Sequence, residues 1–247
     1  MLEISQLKIN TMKRIQRHFI VFLFGISFLQ IGFSQTSPEL WMSGGVDVKM
    51  TEKWGIATAL DIRFYDFGAP GTIFPEFSSS YQLHDNFKLS ADYRLIFDEN
   101  KFGNYTLENR LNLNGQLKLK FTNFNFTSRL RYQTKFGSIR SIANYSPEFD
   151  QALRIKPGID FKLKNKKIKP GLDAEWFYSL ENGELGKRFT KYRLSAGAEI
   201  NLPGKNTLNV KYIFGQLINL PRQNTEHILS LAYTWEYDRT KAKKNKK

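Results

Sequence analysis

The polarity of the chain alternates residue by residue. Between Tyr105 and Gln133 (YTLENRLNLNGQLKLKFTNFNFTSRLRYQ) the odd positions Tyr105, Leu107, Leu111, Leu113, Leu117, Leu119 and Phe121 are apolar. The even positions Thr106, Glu108, Arg110, Asn112, Asn114, Lys118 and Lys120 are polar. A period of two is that of a strand with one apolar face. After Thr122 and Asn123 the phase inverts, so that Phe124, Phe126, Leu130 and Tyr132 are apolar and Asn125, Thr127, Arg129, Arg131 and Gln133 polar. A tight turn setting Phe121 against Phe124 explains the inversion. It puts Leu119 opposite Phe126 and Leu113 opposite Tyr132, keeping the apolar side chains on one face of the hairpin.

The same pattern predicts hairpins elsewhere. Leu40, Met42, Val46, Val48 and Met50 share a face and are answered, with Met50 against Trp54, by Trp54, Ile56, Leu60, Ile62 and Phe64. A weaker strand with Ile73, Phe77, Tyr81 and Leu83 turns at His84 to Asn86 into Phe87, Leu89, Ala91, Tyr93, Leu95 and Phe97. Leu153 to Leu163 pairs with Ile168 to Tyr178, Leu163 facing Ile168, with irregularity expected at Pro157 and Pro170 because proline removes a ladder donor. Tyr192 to Leu202 joins Leu208 to Phe214 through PGKNT, and Leu229 to Tyr237 is the last strand. The count is eleven, with tight turns alternating with longer loops, of which 137–150 is the longest.

Strands of this length and segregated short and long connections are those of a transmembrane barrel rather than a soluble sandwich. The fold class expected is therefore all-β, a single antiparallel up-and-down transmembrane β-barrel of about 10–12 strands. Since bacterial barrels use even strand numbers, ten or twelve is the parity expected. Its apolar face would meet lipid, so Arg at Ile62, Leu113, Leu130 or Leu194 should be more damaging than Arg at the inward Asn112 or Thr127.

The first 34 residues read differently. A basic segment with Lys13, Arg14 and Arg17 precedes the uncharged run Phe19 to Phe33, and Gly32 and Ser34 are small residues before Gln35. That is a secretory signal over 1–34, too short in its apolar run for the roughly 20 residues of a spanning helix. A barrel domain over 35–238 and a basic tail over 239–247 follow. Without residues 1–34 the charge is 33 basic to 22 acidic side chains. The absence of cysteine excludes a disulfide framework. Aromatic residues make up 15% of the chain although mean hydropathy is −0.44, as expected of a wall alternating aromatic with charged positions.

The order of ELWMSGGVDVKM, WGIATALDIRF, FKLSADYRLIF, LENRLNL, TSRLRYQTKF and HILSLAYTWEY resembles uncharacterised Gram-negative outer-membrane barrels grouped as a domain of unknown function. The resemblance spans nearly the whole mature chain. It implies a barrel and an outer-membrane address and supplies no established reaction or catalytic residues; outer-membrane lipid and the barrel-assembly machinery are the partners expected of the barrel. The ten residues after Tyr237 depart from barrels that end at the aromatic close of the last strand.

Candidate chemistry is sparse. His18 lies in the signal, His84 in a turn, and His227 in the lipid-facing register with Ser230 on the opposite face, so no His/Ser pair is aimed for catalysis. No metal cluster, hydrolase elbow or phosphate loop is present, and the chain is read as a non-enzyme without cofactor. The lumen candidates are Arg63, Arg94, Glu108, Arg110, Arg129, Arg131, Arg154, Asp173, Glu175, Arg193 and Glu199, with Lys162 also placed inside and Arg129 and Arg131 set near Glu108 and Arg110. They predict either ion pairs filling a structural barrel or a narrow anion-preferring pore. The alternatives are a small barrel enzyme acting on lipid, or an exported sheet protein binding an anionic polymer such as a glycan or nucleic acid. The apolar face on every strand argues against the last, and nucleic acid is not an expected partner.

Overall fold

The computed structural model describes residues 36–66, 68–99, 103–137, 151–163, 167–181, 186–220 and 224–240. The expected leader over 1–34, the 138–150 connection and the tail beyond Thr240 lie outside them. Eleven strands follow one another: β1 (Thr36–Lys49), β2 (Trp54–Tyr65), β3 (Pro70–His84), β4 (Phe87–Glu99), β5 (Tyr105–Lys120), β6 (Phe124–Gly137), β7 (Ala152–Phe161), β8 (Ile168–Ser179), β9 (Arg188–Leu202), β10 (Asn206–Leu217) and β11 (Thr225–Asp238).

They form a closed barrel in sequence order. Leu119 lies opposite Phe126 and Leu113 opposite Tyr132, and the Phe121 and Phe124 rings stack at 4.7 Å across the turn. Met50 N–H donates to the Trp54 carbonyl at 3.0 Å, closing the first hairpin. These registers are strongly specified, since a slip of one residue would move every apolar side chain of a strand to the charged face.

Eleven strands is the count read from the alternation and lies within 10–12; what the structure corrects is the even parity. Every consecutive pair is antiparallel. With eleven strands, β11 therefore runs in the direction of β1, its neighbour at the closing seam, and that seam is parallel. An odd count closes without an open edge by this one exception to the alternation. The β7–β8 ladder keeps a single register from Ile155↔Trp176 to Gly158↔Asp173 but is unpaired across Lys156 and Pro157. The missing proline donor accounts for the gap.

Burial is inverted relative to a water-soluble fold. Among the described residues the buried hydrophobics are Phe74, Ile96, Ala152 and Ile228, whereas Asp92, Asn112, Asn114, Arg131, Gln133, Arg154 and Glu175 are buried polar groups. The large apolar side chains cover the outside. Trp54, Tyr81, Phe87, Phe121, Phe161, Tyr233 and Trp235 ring the end with the shorter turns, and Phe97, Tyr105, Phe136 and Phe189 the end with the longer loops. Leu60, Leu111, Leu113, Leu130, Ile155, Leu172 and Leu194 are exposed between the two rings.

Candidate functional site

The barrel interior is an extended polar concavity, and period two is what fills it. On each strand the residues alternating with the apolar ones turn inward, so polar residues that the sequence leaves scattered converge on one another. Three cavities stand out in the interior among the described residues. One of about 530 Å³, lined by Trp41, Arg63, Phe74, Arg94, Phe177 and Arg193 among others, occupies the half with the longer loops. Two of about 490 and 330 Å³ occupy the other half. Arg129 lines all three, and Arg131 lines the first and second.

The charges between the cavities are paired across the lumen. Glu175 accepts from Arg154 Nε and Nη2 at 3.1 and 2.9 Å and from Arg129 Nη2 at 2.8 Å, so β6, β7 and β8 meet on one carboxylate. Arg154 Nη1 also donates to Gln133 at 3.0 Å. Arg131 donates through Nη2 to Asp92 at 3.0 Å and through Nε to Asn114 at 2.5 Å, and Asn114 Nδ2 donates in turn to Asp92 at 2.8 Å. Asp173 is shared by Lys156 and Lys211 at 3.1 and 3.2 Å. Charged groups removed from water survive only in such paired and hydrogen-bonded sets. The belt of Arg129, Arg131, Asp92 and Glu175 therefore constricts the lumen as well as bracing its wall.

The remaining sequence candidates lie around this belt. Arg94 pairs with Glu76, Arg193 with Glu226 at 3.0 Å, and Lys169 with Glu199 at 2.5 Å. Arg63 and Arg110 line the cavity at the longer-loop end. Glu108 is not near Arg129 and Arg131. The register puts it opposite Gly137, with its carboxylate 2.6 Å from Lys135, while Arg129 and Arg131 face Gln116 and Asn114. The correction is a matter of counting along the strand: Glu108 is six residues from Asn114, about 20 Å of extended chain. Lys162 lies past the end of β7, where its ammonium donates to the Phe121 carbonyl at the turn. It belongs to the rim rather than the interior. Asn112 and Thr127 also differ: Asn112 is fully buried with neither side-chain atom hydrogen-bonded, so an Arg there would have no room, whereas Thr127 borders the 330 Å³ cavity.

Alternation places Glu226, Trp41, Phe74 and Phe177 inward without marking what they do there. Glu226, partner of both Lys191 and Arg193, sits at the start of β11, three residues before the apolar run that marks that strand. Trp41, Phe74 and Phe177 turn inward although aromatic. Guanidinium groups lie over their rings: Arg63 at 4.0 Å from Trp41 and 4.9 Å from Phe74, and Arg154 at 4.3 Å from Phe177. Such stacking holds an arginine in place without neutralising it. Ladder irregularities next to Arg63 and next to Phe177 aim these residues. Gly71 permits the first, because a Cβ there would stand 2.1 Å from the Tyr65 ring.

Of the histidines, His227 Nδ1 and the Tyr212 hydroxyl are 2.5 Å apart, opposite the register that carries Ser230 inward, and no His/Ser pair forms on β11. Among the described residues no group of three or more His, Asp or Glu side chains could hold a metal ion.

No curated protein shows significant similarity to this sequence. The family described as "Protein of unknown function (DUF2490)" matches residues 39–227, which run from β1 into β11, and the chain belongs to that family.

Proposed function

We propose that this chain is an outer-membrane β-barrel whose narrow, basic lumen admits small anions. The observation that carries the reading is the inversion of burial: Arg131, Arg154 and Glu175 are inside, while leucines and aromatics cover the outside in a band bounded by two aromatic rings. In water such a band would be an exposed apolar patch far larger than monomers tolerate, and in lipid it is the expected exterior. Strands of 12 residues tilted at about 40° rise about 30 Å, the thickness of a hydrocarbon core. This also weighs against an exported protein that binds an anionic polymer on an open sheet, since the closed barrel leaves its charged face only the lumen.

Localisation is tested by fractionation. The mature chain is expected in the outer membrane, beginning near Gln35, and is expected to run at different positions on SDS gels with and without boiling. Recovery as a soluble periplasmic monomer would refute the reading.

Passage is tested in planar bilayers under a salt gradient. Eleven strands lie between barrels filled by side chains and open porins, so any conductance should be small. Its reversal potential should show anion preference, because cations outnumber carboxylates along the lumen. Arg129→Gln removes a charge from the junction of all three cavities and is expected to reduce anion preference. Cation preference in the wild type would contradict the reading. Absence of conductance would favour a second one, a structural barrel closed by its own ion pairs, for which the Arg129–Glu175 and Arg131–Asp92 contacts across the lumen speak.

A further inference from the structure

We propose that the cavity at the longer-loop end is a binding site for a small amphiphilic anion, with a phosphate or carboxylate group on Arg63 and an apolar part against β10. The proposal rests on the reading of the barrel interior as a lumen. It does not depend on conduction.

The argument starts at Arg63. Its guanidinium is stacked by Trp41 and Phe74. Among the described residues it makes neither an ion pair nor a hydrogen bond, and it lines the 530 Å³ cavity. Asp61, two positions away on the same strand, attracts Arg63 through its charge but forms no ion pair with it. A guanidinium carries five N–H donors in one plane. Ring contacts satisfy its faces and leave those donors in the plane unused. A fork held by stacking, with its edge open to a cavity, has the geometry that takes the two oxygens of a carboxylate or phosphate together. A role in packing alone would not call for an arginine, since an apolar side chain could fill the space between two rings without the cost of an unpaired charge.

The surroundings add charge and then an apolar wall. Arg94 is 5.0 Å from the Phe74 ring and Arg193 4.9 Å from the Trp41 ring, so both stand beside the stacked group. Glu226 is divided between Arg193 and Lys191, Glu76 pairs with Arg94, and Glu39 takes the Trp41 indole N–H at 2.7 Å. The lining as a whole nevertheless carries ten Lys and Arg side chains to three carboxylates, a local excess of positive charge. Ile213, Leu217 and Leu220 line the same cavity. A volume of about 530 Å³ with an apolar wall and convergent polar donors falls in the range of small-molecule sites. These features fit an anion of a few hundred daltons with an apolar portion better than a bare inorganic ion.

Trp41 is the reporter. Of the four tryptophans, Trp54, Trp176 and Trp235 are exposed on the outer face, so their replacement by Phe isolates a signal from the cavity. In detergent-purified protein of that background, phenyl phosphate is expected to change Trp41 fluorescence saturably. Inorganic phosphate should need at least about tenfold more for half-saturation, because it gains nothing from the apolar wall. Arg63→Gln should raise the half-saturating concentration of phenyl phosphate at least about tenfold. Arg63→Lys keeps the charge without the fork and should fall between the two. A non-saturable response, or one unchanged by both substitutions, would overturn the proposal. Equal affinity for phosphate and phenyl phosphate would overturn its amphiphilic part. Heat-modifiable mobility is measured on the same samples: if it is present and binding is absent, this proposal alone falls, and if it is lost in the parent protein the barrel reading falls with it.

Discussion

Glu175→Gln is expected to destabilise the barrel by about 3–5 kcal/mol, the cost typical of breaking a buried ion pair from one side. The carboxylate is 4% exposed and takes three hydrogen bonds from Arg129 and Arg154. A neutral amide offers one acceptor oxygen in place of two and an NH2 group that must point at a guanidinium. It also leaves two arginines facing each other, with Arg131 and Lys156 nearby on the same strands. Since most of the loss comes from stranded charge, Arg154→Gln in the same chain should recover a substantial part of it. Glu199→Gln provides the contrast. Its partner Lys169 and its own side chain are 43% and 35% exposed, so lumen water screens the pair and the loss should be under about 1 kcal/mol. Urea unfolding in detergent micelles or vesicles, followed by loss of the heat-modifiable band, would measure all three. If Glu175→Gln matches Glu199→Gln, the central belt is wet and does not brace the wall.

The central role of Glu175 could not be read from alternation alone, and the reason is geometric. Period two assigns a residue to a face, and hairpin turns assign its neighbour on the adjacent strand, so Leu113 opposite Tyr132 was legible. Arg129 reaches Glu175 from β6 to β8, and Arg131 reaches Asp92 from β6 to β4, each skipping a strand. Such contacts depend on the curvature of the closed wall and the length of arginine, neither of which has a signature in local sequence. The parallel seam is invisible for a related reason: β1 and β11 share no turn, and parity decides their direction. Trp41, Phe74 and Phe177 fall on the inner face by position, alternating with Leu40 and Met42, with Ile73, and with Trp176 and Tyr178, but nothing in an aromatic side chain marks it as a platform until a cation is seen over it. Glu226 alternates inward next to His227, but its two partners, Lys191 and Arg193, lie on β9, a strand away from β11, which local sequence does not show.

The outer face makes the second large prediction. Leu130 and Leu194 lie near the middle of β6 and β9 and are 55% and 48% exposed with no neighbour over them. In a bilayer those positions are near the midplane, where Arg costs about 2–4 kcal/mol relative to an apolar residue. The cost falls toward 0–1 kcal/mol, roughly, near the interfaces. Leu130→Arg and Leu194→Arg should therefore each destabilise by about 2–4 kcal/mol in vesicles. Leu83→Arg, one residue from the short-turn end of β3, should be mild although Leu83 is equally exposed at 51%. Thr127→Arg supplies the inward comparison, since that side chain borders a cavity with room for a longer group. A soluble protein gives the opposite ordering: exposed Leu→Arg changes on a water-facing surface cost little, and Thr127→Arg, adding charge beside Lys156 and Arg129, becomes the more harmful change. Depth dependence along the outer face, measured as unfolding free energy in vesicles of one composition, thus distinguishes lipid from water at each position. A flat profile across Leu130, Leu194 and Leu83 would remove the ground for placing this barrel in a membrane.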